Sequence, residues 1–112
     1  MNGVQDIVEE ARRLSALIDS GIRTLAAAGE EVAHAEHAYR EAKAKAWVMV
    51  SGALAKDREA QVDGSTADLR LARDLAESKR QACIEALRAR RVQLSALQSI
   101  LAATRSEMEL AR

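Results

Sequence analysis

The 112-residue chain has no proline and no phenylalanine, and it contains one cysteine, one tryptophan and one tyrosine. A single cysteine, Cys83, excludes an internal disulfide and a cysteine-rich metal site, and we expect it to be a small buried side chain in a reducing compartment. Few aromatic residues leave Ala, Leu, Val and Ile to form a thin core. Residues of high helix propensity dominate both halves, which predicts helices and no strands.

Long hydrophobic runs and a net charge are missing as well. The longest strongly apolar run, residues 46–50, is too short to cross a bilayer, and the first ten residues do not resemble a signal peptide. We therefore expect a cytoplasmic protein without membrane attachment. Seventeen basic and seventeen acidic residues cancel, which argues against simple electrostatic capture by nucleic acid or membrane.

The two halves of the chain nevertheless differ in charge. Residues 1–68 carry 8 basic and 12 acidic side chains, whereas residues 69–112 carry 9 basic and 5 acidic ones. Opposite charge on two helices favours their packing side by side. The charge distribution therefore predicts an acidic first helix packed antiparallel on a basic second helix.

The strongest pattern is an unbroken spacing of three and four between small and apolar residues in the first half. This spacing keeps one seam of a helix facing a partner helix. It predicts a helix over about residues 4–50, continuous through Gly21 and Gly29 because the phase is the same on both sides of each glycine; a kink between residues 19 and 29 is the alternative. The seam consists of Val4, Ile7, Ala11, Leu14, Ile18, Gly21, Leu25, Ala28, Val32, Ala35, Tyr39, Ala42, Ala46 and Met49.

A linker is predicted over about residues 51–65. Ser51 and Gly52 are expected to close the first helix, and residues 63–66 read as a turn that starts the second helix, which runs over about residues 66–110. Residues 54–62 fit a short helix, an extension of the second helix, or disorder. We treat residues 1–112 as a single helical domain.

The second helix carries a wider and less regular apolar face. Its seam, as the sequence suggests it, consists of Leu69, Ala72, Ala76, Cys83, Leu87, Leu94, Leu97, Leu101 and Met108, with Lys79, Arg90 and Thr104 also falling on it. Ile84, Ala86, Ala96 and Ile100 widen the face, which suggests contacts with more than one helix. The expected fold is all-α, a long antiparallel helical hairpin that pairs into a four-helix dimer, a homo-oligomer.

Two apolar regions are candidate protein-binding surfaces. Four consecutive residues at the end of the first helix cannot all face one seam, so part of that cluster is expected to dock a partner. The alternative is that Leu54 and Val62 fold over the cluster and close the core. The candidate partner-binding residues are Trp47, Val48, Met49 and Val50, together with Leu87 and Leu94 on the second helix.

The densest basic cluster is formed by Arg88, Arg90 and Arg91. Arginines on a helix neutralise phosphates, so this cluster is the candidate nucleic-acid contact. No aromatic residue is interleaved with it to stack on bases, and a solvated or ion-paired face is the alternative.

Evidence for chemistry is slight. His34 and His37, flanked by Glu30 and Glu41, have a spacing that is compatible with a metal, but histidines near carboxylates on a helix are commonly surface residues. The sequence has no phosphate-binding loop and no nucleophile motif. We therefore assign no catalytic residue, no metal and no cofactor, and expect a protein that is not an enzyme.

Residues 38–46, 56–60 and 94–99 resemble small helical proteins encoded by bacteriophages, particularly those of actinobacteria. The resemblance covers about residues 30–110 and lies in diffuse helical patterns. It implies expression in a bacterial cytoplasm during infection, often among genes for DNA metabolism, and it carries over no functional residue.

Together these patterns predict a non-enzymatic protein–protein interaction module, a small phage protein that acts by binding a host or phage protein. The alternative is a nucleic-acid-associated accessory protein, such as a recombination helper or a nuclease inhibitor, supported by the basic second half and its arginines.

Overall fold

The computed structural model describes residues 3–50 and 54–111. In that part of the chain, the regular structure consists of the helices α1 (Gly3–Met49), α2 (Ala55–Ser65) and α3 (Ala67–Leu110). The predicted all-α helical hairpin is confirmed. The long helix predicted over residues 4–50 is α1, which continues through Gly21 and Gly29. The predicted closure of this helix by Ser51 and Gly52 lies outside the described residues.

The chain divides into two compact units. Residues 3–25 and 83–111 belong to the first unit, and Ala26–Ala82 form the second. In the first unit, Gly21 of α1 lies against Leu87 of α3, and Leu14 shares a groove with Leu97. Residue numbers thus rise along one helix as they fall along the other, so the two segments are antiparallel.

The second unit shows the same antiparallel pairing of α1 with α3. Glu31 bonds to Lys79 at 3.0 Å, and Glu36 lies 3.6 Å from Arg73. Here the acidic side chains belong to α1 and the basic ones to α3. The predicted attraction between an acidic first helix and a basic second helix is therefore present in this unit as two ion pairs, each modest because its groups are partly solvated.

The α1 seam follows the predicted spacing. Every predicted position except Met49 is buried or half-buried, and Leu14 and Ala28 are each only 2% exposed. Gly21 is needed for close packing, because a Cβ at this position would lie 2.6 Å from the Leu87 Cδ2. Gly21 therefore lets α3 approach α1 closely at this point of the seam.

The α3 seam differs from its prediction in the second unit. Arg73 and Arg80 are half-buried, whereas the neighbouring Ala72 and Lys79, which the sequence placed on the seam, are exposed. A regular spacing of three and four along α3 places the two arginines on the seam. Their long apolar stems can cover the seam while their charged ends reach water. The observed seam consists of Arg73, Ala76, Arg80, Cys83, Leu87, Arg90, Leu94, Leu97, Leu101 and Thr104.

The linker contains the short helix that was one of the expected possibilities. Val62 of α2 is fully buried, and its carbonyl oxygen accepts the Thr66 backbone N–H at 3.1 Å and the Thr66 hydroxyl at 2.7 Å. The turn predicted over residues 63–66 is wrong, because Asp63, Gly64 and Ser65 belong to α2 and Thr66 alone lies between α2 and α3. Buried Val62 and these bonds hold the chain helical despite Gly64.

Candidate interaction surface

The apolar cluster at the end of α1 separates into two environments. The Arg58 guanidinium of α2 lies 4.9 Å from the centre of the Trp47 ring and donates a hydrogen bond to the Trp47 carbonyl oxygen. Trp47 and Val50 are half-buried, whereas Val48 and Met49 are 79% and 83% exposed. Only Val48 and Met49 thus present most of their apolar surface to solvent.

Neither expectation for this cluster holds in full. Of the two residues expected to cover it, Val62 is buried, but Leu54 is 78% exposed. Trp47 is instead covered by Arg58, an arrangement that the sequence analysis missed. Val48 and Met49 lie one helical turn after Ala44 and Lys45, on the same side of α1. Together the four residues form an open apolar surface, which we call the α1 patch: Ala44, Lys45, Val48 and Met49.

The two leucines of α3 that were predicted to bind a partner instead pack inside the first unit. Leu87 is 4% exposed, and Leu94 is half-buried on the same seam. Their spacing of seven reflects packing against α1. The exposed apolar side chains of this part of α3 lie on another face of the helix, where Val92 is 66% and Ile100 is 47% exposed.

The arginine cluster does not form one surface. Arg90 lies half-buried on the seam, with its Nη1 3.5 Å from where a Cβ of residue 21 would be. Arg88 is exposed and pairs with Glu85 at 2.8 Å. Arg88 and Arg91 line a groove of the first unit together with Ile84 and Ile22. Two of the three arginines therefore face solvent, and the first of these already has an acidic neighbour.

Other polar groups form local pairs on the helix surfaces. The hydrogen bond from Lys45 lowers the pKa of Glu41, which also lies 3.5 Å from His37, and the hydrogen bond from Arg80 lowers the pKa of Glu77. Both shifts keep the carboxylate ionised, whereas a general acid at neutral pH needs a raised pKa. These pairs have the properties of surface ion pairs.

Residues 3–50 and 54–111 contain neither a cluster of three metal ligands nor a membrane-spanning helix. No group of three or more His, Cys, Asp or Glu side chains is arranged there to hold a metal ion. None of the helices described is long and apolar enough to cross a membrane. Cys83 is a free, half-buried thiol on the α3 seam.

Comparison with known protein families, with curated proteins and with solved structures finds no match for the chain.

Proposed function

We propose that this protein is a non-enzymatic interaction module that binds another protein through the α1 patch. The observation that carries the proposal is the exposure of Val48 and Met49, at 79% and 83%, in the last turn of α1. Scattered apolar residues are normal on protein surfaces, but adjacent ones that form a continuous patch are typical of contact sites. Met is also common at such sites because its side chain adapts to different partners.

The surroundings of the patch support a preformed binding site. Arg58 holds the Trp47 ring and the carbonyl oxygen of the same residue. The last turn of α1 is thereby tied to α2, which lowers the entropy cost of ordering the site on binding. Lys45 lies at the edge of the patch and is already paired with Glu41 at 2.8 Å, so a complementary partner is recognised chiefly by an apolar segment.

The test is photo-cross-linking from a benzophenone amino acid placed at Met49, in cells of a bacterial host and with nuclease-treated lysate. We expect one protein to be cross-linked from this site, and Val48→Glu to abolish its capture because the charge enters the apolar contact. His34, exposed on the same helix, gives the matched control site and should not cross-link this protein. Recovery of the same protein from both sites, or with Val48→Glu, would refute the proposal.

A nucleic-acid-associated accessory role is the second candidate, supported by the exposed positions of Arg88 and Arg91. It predicts binding to DNA or RNA that weakens steeply with salt and is lost in Arg88→Ala/Arg91→Ala. Arg90 is left unchanged because it packs on the seam. Binding that is unaffected by this double substitution would remove the candidate. The resemblance to phage proteins makes a bacterial cytoplasm the place to look for either kind of partner.

A further inference from the structure

The exposed face of α3 in the first unit has a composition that is unusual for a solvent-facing surface. Ala89, Ala96, Ala103 and Leu110 are spaced by seven and are all exposed, and Val92 lies between the first two at 66% exposure. A repeat of seven marks a face that packs along another helix. Small residues in such a repeat let two helix backbones approach closely.

We propose that this face, which we call the α3 face (Ala89, Val92, Ala96, Ser99, Ile100, Ala103 and Ser106), binds the same face of a second copy of the chain in antiparallel orientation. The proposal goes beyond the α1 patch and is independent of it, since the patch belongs to the second unit and the α3 face to the first.

The accessible area supports a second copy as the occupant. The chain leaves 8212 Å² accessible. A globular monomer of 12.2 kDa exposes ~6,100 Å², so the chain exposes roughly 2,000 Å² more than such a monomer. A dimer interface of ordinary size removes about 800 Å² from each partner. The surplus is therefore large enough for a dimer contact and a separate contact at the α1 patch.

Charge at the edge of the face selects the antiparallel orientation. Residues 88, 95, 102 and 109 form one edge, with Arg88 near its start and Glu109 near its end. A two-fold axis near residues 97 and 98 places Ala96 against Ser99 of the second copy and brings Arg88 within one helical turn of its Glu109. Arg88 then bridges Glu85, its partner at 2.8 Å, and the second copy. A parallel pair would instead place Arg88 beside the uncharged Gln93 of the second copy.

Sedimentation equilibrium of the full chain tests the interface. We expect a dimer at high micromolar concentration for the wild type and a monomer for Val92→Glu, with unchanged helix content by circular dichroism. Gln98→Glu adds the same charge at an exposed position outside the α3 face and should remain dimeric. A monomeric wild type, or a Val92→Glu variant that dimerises as tightly as the wild type, would overturn the proposal.

Disulfide trapping tests the orientation. In a Cys83→Ala background, chains carrying Ala89→Cys should cross-link with chains carrying Ser106→Cys when the two are mixed, because the proposed register places these positions opposite each other. Each variant alone should cross-link at least tenfold less. Efficient self-cross-linking of each variant would show a parallel pair and refute the antiparallel assignment.

The charge pair is checked by Arg88→Glu and Glu109→Arg, which should each weaken the dimer and together restore it.

Discussion

Gly21 and Gly29 lie eight residues apart on α1 but have different surroundings. A Cβ at Gly21 would lie 2.6 Å from the Leu87 Cδ2, while a Cβ at Gly29 would meet no atom within 4 Å apart from its chain neighbours and the backbone of its own helical turns. Leu87 is buried, so its side chain has little room to yield. The same amino acid is therefore a packing requirement at one position and only a cost in helix propensity at the other.

This difference gives a paired prediction. Gly29→Ala should stabilise the protein by about 1 kcal/mol, the difference in helix propensity between the two residues. Gly21→Ala gains the same propensity but overpacks the seam at a cost of roughly 1 to 3 kcal/mol, so its net effect should be destabilising. Urea denaturation followed by circular dichroism measures both. Equal stabilisation by the two substitutions would show that Leu87 does not press on Gly21.

Arg73 shows why the α3 seam is harder to predict than the α1 seam. Its guanidinium lies 4.5 Å from the centre of the buried Tyr39 ring and 3.6 Å from Glu36. A prediction from apolar residues alone places the neighbouring Ala72 on the seam. It omits Arg73 because it takes no account of the apolar stem of an arginine or of a cation packed on an aromatic ring. Helix periodicity alone, applied without regard to polarity, would have selected Arg73.

At the scale of elements, α1 could be predicted because its spacing has no slip over more than forty residues. The end of α2 could not, since Asp63, Gly64 and Ser65 favour a turn locally and the contacts that bury Val62 are not visible in a local pattern. The candidate surfaces were predicted in part. An apolar position shows that a residue avoids water but not which helix covers it, so Leu87 and Leu94 could not be separated from Val92 by composition.

The helix α2 provides the prediction at this scale. Val62 is the fully buried residue of this helix, and its carbonyl oxygen accepts two hydrogen bonds from Thr66. Val62→Ala removes two buried methyl groups and should destabilise the protein by about 1 to 2 kcal/mol. Val48→Ala removes the same groups at a position that is 79% exposed and serves as the control. Chemical denaturation should separate the two variants, and an equal effect would contradict the burial of Val62.

At the scale of the whole molecule, charge and apolar surface have separate roles. The chain is neutral, with seventeen charged side chains of each sign, and many of these form pairs within a helix or between α1 and α3. Charges paired in this way contribute little long-range attraction for a partner. Association is therefore expected to depend mainly on apolar faces, with charge deciding orientation.

Thermal unfolding gives a prediction for the whole molecule that follows from a second copy. A partner that binds only the folded chain raises the melting temperature as its concentration rises, and here the partner is the chain itself. The wild-type melting temperature should therefore increase between low and high micromolar concentration. Val92→Glu should melt at one temperature throughout, since the charge would have to be buried against the second copy. Gln98→Glu should behave like the wild type. A wild-type melting temperature that does not change with concentration would mean that the folded chain is not stabilised by self-association.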